Sequence, residues 1–247
     1  MRPRNDDAYF IYKGRSSREF GLRILNDMSL QVPEYDIEFV EIPGRDGDLA
    51  LDNKRYKSVD RSFRCHLIPP KGQTLDQAVV AIAAWLSLQP GYHKLQWSGE
   101  PGYFWQAIYV QGINIVESLR QFGAVELTFR CQPGKYLAIG EQWVNLPPGE
   151  KITLHNPGNL PAYPLWKAPA ENGQAERRIS ITINRTEGIT FVDAQGDISY
   201  DAGSHIFSGK ADEVIYRRLP FLPAASAVEL TARGGPVYMQ PRWRVLG

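Results

Sequence analysis

One segment constrains the architecture of this chain more than any other. Thr74-Leu75-Asp76-Gln77 has the spacing of a capping box, a hydroxyl residue at a helix N-cap with Gln three positions on, so that each side chain satisfies the other's backbone N–H. Behind it Leu75, Val79, Ile82 and Leu86 recur at three- and four-residue steps, Ala78 and Trp85 widen the stripe, and Pro90-Gly91 ends it. This is the one convincing helix in the sequence. An amphipathic helix of about fifteen residues cannot cover its own apolar face, so it has to pack on a sheet.

The partner sheet is legible on both sides of the helix. Residues 9–12, 22–25, 37–42 and 58–68 precede it, and 93–97, 104–115 and 123–131 follow, all alternating or rich in β-branched and aromatic side chains. This half reads as α+β, antiparallel sheets with one helix across them. After Cys131-Gln132-Pro133-Gly134 the pattern changes. Prolines and glycines crowd residues 146–169, and short strands then follow at 177–184, 188–193, 197–200, 213–219, 226–232 and 237–246, with no helical period. Regular short strands with turn residues between them indicate a β-sandwich or jelly-roll. The chain is therefore expected to be mainly β, with two domains, 1–138 and 139–247, a division its 247 residues allow.

Charge excludes several partners. The net charge is +1, with 17 basic and 16 acidic residues over 1–135 and 11 of each over 136–247. Neither half has the basic excess that binds a phosphate backbone or an anionic membrane. The opening Met1-Arg2-Pro3-Arg4-Asn5-Asp6-Asp7 lacks the apolar stretch of a secretion signal, favouring a cytosolic start, and no run approaches a membrane span. The two cysteines, Cys65 and Cys131, each alternate with apolar neighbours on a strand, which favours two buried small side chains over a disulfide.

The search for chemistry returns no site. His66, His93, His155 and His205 lie tens of residues apart without metal-ligand spacing. Asp46-Gly47-Asp48 invites a calcium-loop reading but lacks the alternating oxygen ligands and closing Glu, so a turn is favoured. Gly44-Arg45-Asp46-Gly47 lacks the Lys-Ser/Thr of a phosphate loop. Aromatics cluster at Tyr92, Trp97, Tyr103, Phe104, Trp105 and Tyr109, with Trp166, Tyr200, Phe207, Tyr216, Tyr238 and Trp243 spread through the second half. Core or interface packing is their expected use, and stacking on sugar rings the alternative. No catalytic, cofactor or metal residue is assigned.

Two turn-rich segments carry a resemblance. Tyr12, Gly14, Ser17 and Phe20-Gly21-Leu22, followed by Val40-Glu41-Ile42-Pro43-Gly44-Arg45-Asp46-Gly47-Asp48-Leu49, are similar to the N-terminal signature of the distal tail proteins of siphophages, which have long non-contractile tails. Asn156-Pro157-Gly158, Ala162-Tyr163-Pro164 and Pro241-Arg242-Trp243-Arg244 also fit that layout. A departure is the stretch 219–225, where the family often has a Leu-x-Pro-Gly turn and this chain has alanines. The resemblance implies a virion structural protein at the distal tip of the tail, assembled in the host cytoplasm. It implies a ring, usually a hexamer, built from the first domain, with a galectin-like sandwich projecting outward. Its partners would be the tail tube protein and the tail hub or fibre protein, with DNA passing through the ring without specific binding. Gly44, Arg45, Asp46 and Gly47 are then the candidate inter-subunit hairpin. The alternative is a carbohydrate-binding module that recognises a host surface glycan through the sandwich, with Trp166 or Trp243 as its reporters. A glycan hydrolase using scattered carboxylates stands third.

Overall fold

The capping box closes as its spacing predicts. In the computed structural model, which describes residues 8–25, 31–110, 123–170, 177–216 and 220–247, Thr74 Oγ1 accepts from Gln77 N at 3.3 Å and Gln77 Oε1 accepts from Thr74 N at 3.0 Å. Helix α1 runs Leu75–Ser87 and buries Ala78, Val79, Ile82, Trp85 and Leu86; Leu75, read as part of the stripe, is exposed. It sits in the first helical turn, one step outside the face that meets the sheet.

The chain divides into two compact units, Met1–Lys135 with Leu246–Gly247, and Tyr136–Val245. In the first, strands β1 (Phe10–Tyr12), β2 (Arg15–Ser16), β3 (Leu22–Ile24), β4 (Tyr35–Val40), β5 (Leu49–Tyr56) and β6 (Val59–Leu67) precede the helix, and β7 (His93–Trp97), β8 (Tyr103–Tyr109) and β9 (Ala124–Leu137) follow it. Of the expected strand 104–115, residues 111–115 lie outside the described residues, as does the opening 1–7. The main sheet has the order β2-β1-β7-β8-β9-β6-β3. β6 and β9 pair antiparallel from Val59↔Cys131 to His66↔Ala124, and β6 buries every second residue. Cys131-Gln132-Pro133-Gly134, expected to punctuate the chain, instead lies inside β9. Pro133 is tolerated there because β6 begins at Val59, opposite Cys131, so no β6 carbonyl waits for the missing N–H.

Aromatic rings fill the core between sheet and helix. Trp85 lies parallel to Phe20 at 4.2 Å and to Phe10 at 5.7 Å, and its Nε1 donates to Tyr12 O at 3.0 Å. Phe63, Phe129 and Tyr109 complete the cluster. On the same face of β6 as Phe63, the buried Arg61 guanidinium stacks over Trp105 at 4.8 Å and donates to Gly247 O at 3.2 Å and Gln31 O at 3.4 Å.

The first signature motif is explained by this packing. Lys13 and Gly14 both take positive φ (52° and 74°), the geometry of a tight hairpin turn between β1 and β2. Ser17 Oγ accepts from Phe10 N, and Phe20 stacks on Trp85. Gly21 ends the short 3-10 turn with φ 75°, where a Cβ would lie 2.0 Å from Ile68 O. Only glycine fits.

Cys65 and Cys131 are both buried and free. Their partners on the ladder are Val125 and Val59, which separates them by six residues along it, about 20 Å at strand rise. No disulfide can span that. Burial pushes both thiols up to about 12. Neither cysteine is therefore expected to react with Ellman's reagent in the native protein, and both should react once urea unfolds it. Rapid native labelling of either would contradict the packing.

The second unit is a two-sheet sandwich. Its strands are β10 (Val144–Leu146), β11 (Lys151–His155), β12 (Leu165–Ala168), β13 (Arg177–Ile183), β14 (Thr186–Asp201), β15 (Ile206–Lys210), β16 (Glu213–Ile215), β17 (Ala227–Arg233) and β18 (Val237–Gln240); a further strand, β19 (Arg244–Leu246), joins the sheet that holds β9. The loop-rich span 146–169 thus holds two strands that its prolines concealed. The two strands expected at 188–193 and 197–200 are one, β14, which belongs to both sheets. Its first half pairs with β13 and β16, and its second with β12 and β15. Positive φ at Asp193 (50°) and Gly196 (65°) marks the bend between them. The core holds Trp166, Ile179, Ile181, Ile189, Phe191, Tyr200, Leu230 and Met239. In the stretch 219–225, Leu219 lies outside the described residues. Ala225 adopts φ 45° and donates its N–H to Gly158 O at 2.8 Å, so the turn survives without its glycine.

Candidate functional site

The segment between β4 and β5 separates itself from the rest of the first unit. These two strands form their own two-stranded sheet, and among the described residues neither pairs with any other strand. Val40↔Leu49, Phe39↔Ala50, Glu38↔Leu51 and Ile37↔Asp52 are opposite one another, and the register then slips by a bulge toward Tyr35↔Tyr56. Lys54 takes φ 52° in that bulge, and its N–H is held by Asp52 Oδ1 at 2.6 Å. Arg55 Nε donates to Asp36 Oδ2 at 2.7 Å, which holds the Asp36 carboxyl below its ordinary range. The Tyr35 and Tyr56 rings meet edge to face at 5.0 Å.

The predicted residues form the tip. Gly44 and Gly47 have φ of 81° and 75°, and Arg45 N donates to Ile42 O at 3.1 Å to close the turn. Arg45 and Asp46 are exposed between them. In contrast to Gly21, no atom lies within 4 Å of where a Cβ would stand on Gly44 or Gly47. Their glycines serve turn conformation alone, and the tip is open to solvent on every side.

The tip and one arm, the strand expected at 37–42, were legible in the sequence, and the other arm, β5, was not. Phe39 is 66% exposed, Leu51 42% and Ile37 38%. Period two puts Ile37 and Phe39 on one face of the ribbon and Leu51 on the other. The missed signal is β5 itself, Leu49-Ala50-Leu51-Asp52-Asn53-Lys54-Arg55-Tyr56, whose alternation ends in a charged bulge and so does not read as a strand. An isolated two-stranded ribbon is marginal in water, and among the described residues no strand pairs with its outer edges. Apolar residues on both faces with open edges are the chemistry of a contact surface.

Among the described residues no group of three His, Cys, Asp or Glu side chains could hold a metal ion, and no helix is long and apolar enough to cross a membrane. His205 sits in the turn after β14, with Nδ1 3.0 Å from Tyr200 Oη. Trp166 and Trp243, expected to report a sugar, are buried in the sandwich and present no face to a ligand. The alternation of β12 points Trp166 inward and turns Lys167 outward.

No family model and no curated protein matches the sequence. Among solved structures, the chain is similar to the SPP1 Dit protein (gp 19.1), described as a paradigm of the hub adsorption apparatus in phages infecting Gram-positive bacteria. The identity is 15% and the TM-score 0.65, over 94% of this chain and 97% of that one. It is also similar to a chain of the phage P2 baseplate in its activated conformation, at 9% identity and a TM-score of 0.50, over 94% and 96%. At such identities the likeness is one of fold. The chain has the distal-tail-protein fold along nearly its whole length, as the short motifs imply.

Proposed function

We propose that this protein is a structural, non-catalytic part of a phage tail tip, a ring that joins the tail tube to the hub and fibre at the distal end of the virion. Residues 1–138 form the ring and residues 139–247 the galectin-like sandwich that projects from it. The reading is carried by a likeness to the SPP1 Dit protein that spans almost all of both chains. It is supported by the β4–β5 ribbon, whose exposed apolar faces suit an assembly element. Closing a ring takes heterologous contacts, each subunit offering one surface to a different surface on the next. The β4–β5 ribbon, with exposed Ile37, Phe39 and Leu51 and the Gly44–Gly47 tip, supplies one of the two. Its open edges allow pairing with a neighbour's sheet. Near-neutral charge leaves the ring no hold on a DNA strand passing through it.

The direct test is native mass spectrometry with negative-stain microscopy. A closed ring near six times 27.9 kDa is expected, alone or on adding the tube protein. A monomer under both conditions would sink the proposal.

A further inference from the structure

The outward face of one sandwich sheet carries a groove remote in sequence from the β4–β5 ribbon. It is an open concavity of about 520 Å³ lined by Trp143, Lys167, Asp197, Ser199, Ser208 and Tyr238. That is within the size range of small-molecule sites. Strand register aligns most of this lining. Tyr238 stands opposite Lys167, Lys167 opposite Ser199, and Ser199 opposite Ser208, so one row of side chains crosses β18, β12, β14 and β15 on a single face. Trp143, just before β10, closes one end, with Lys167 Nζ 4.9 Å from its ring centroid. Asp197 gives one carboxylate oxygen to Ala170 N at 2.7 Å and retains a second.

Trp143 is 42% exposed and Tyr238 38%, whereas Trp85, Trp97, Trp105, Trp166 and Trp243 are all buried. An exposed indole is costly to keep in water, and here it stands beside a phenol, two hydroxyls, a carboxylate and an ammonium. The one Lys and one Asp balance, which gives the groove no pull on phosphate or other anions. Aromatic faces beside hydroxyl and carboxylate hydrogen-bonding groups, without net charge, suit a ligand with an apolar face and a hydroxyl rim. We infer that this groove binds a neutral saccharide, with Trp143 and Tyr238 as stacking platforms and Asp197, Ser199 and Ser208 as hydroxyl partners. This does not rest on ring formation, because the site lies wholly on one sandwich.

Trp143 provides the probe. The full-length protein is titrated with cellobiose, lactose, maltose and N,N′-diacetylchitobiose, following tryptophan emission and its quenching by acrylamide, with saturation-transfer NMR from protein to sugar as an independent readout. Trp143 is expected to dominate quenching in the free protein and to be protected by at least one of the sugars. Tyr238→Ala should weaken that binding about tenfold, and Trp143→Ala should abolish the saturation transfer. Unchanged thermal unfolding would show that both variants remain folded. Three results would overturn the inference: no transfer to any of the four sugars, equal transfer with Trp143→Ala, or a Trp143 already shielded in the sugar-free protein, which would mean that a protein partner covers the groove.

Discussion

Replacing Trp85 with alanine is expected to destabilise the first unit by about 3–5 kcal/mol, the range for removing a fully packed aromatic side chain. Urea unfolding followed by circular dichroism measures it. The size of the effect follows from position. Trp85 lies at the end of α1 where the helix meets the sheet, between the rings of Phe10 and Phe20, both within 9° of parallel. Its removal opens a cavity that rigid β1 and α1 cannot close. Trp85→Phe keeps most of the ring contact and loses the Nε1 bond to Tyr12 O, a change of about 0.5–1.5 kcal/mol before the difference in ring size is counted. Hydrogen exchange should rise along β6 and β9 in the alanine variant while β13 and β17 keep their protection. Equal loosening of both units would mean that the core does not divide as described.

A paired change at the ribbon should do the opposite. Ile37→Asp with Phe39→Asp is expected to leave thermal unfolding nearly unchanged, since substitutions at exposed positions fall within about 0.5 kcal/mol. Assembly should suffer far more. Interface anchors are each worth about 2 kcal/mol or more, roughly thirtyfold in affinity, and a ring repeats the loss at every contact. Light scattering should show monomers at concentrations where the parent forms rings. Rings that survive both charges would remove the ribbon from the interface, whatever the ring's other contacts. Gly44→Ala, whose Cβ would meet nothing, is the milder comparison: it perturbs the turn and leaves the arms intact.

The elements that declared themselves in sequence did so through local chemistry. Thr74 and Gln77 need only each other, and β6 shows its alternation because one face is buried throughout. What was hidden depends on distant partners. Pro133 sits in a strand because of where β6 begins, and β14 is continuous because Asp193 and Gly196 accept left-handed backbone that reads locally as a break. The Gly44–Gly47 tip was legible from its turn residues. The β4 arm was legible as a strand and β5 was not, and exposed Phe39 and Leu51 look like core residues until the structure shows them facing solvent. Trp143 and Trp166 likewise differ in burial for reasons of strand placement that spacing does not carry.

The bond from Arg61 to Gly247 joins residues 186 positions apart within one unit. A ribosome releases β6 early, yet the carbonyl that meets its buried guanidinium arrives only after the entire sandwich has been synthesised. The unit that emerges first is therefore completed last. Until then Arg61 lacks one of its acceptors and β9 lacks its β19 neighbour, an interval in which the nascent chain exposes an unfinished sheet. Chaperone dependence should accordingly concentrate on residues 1–135, whose unit waits for residues 246–247.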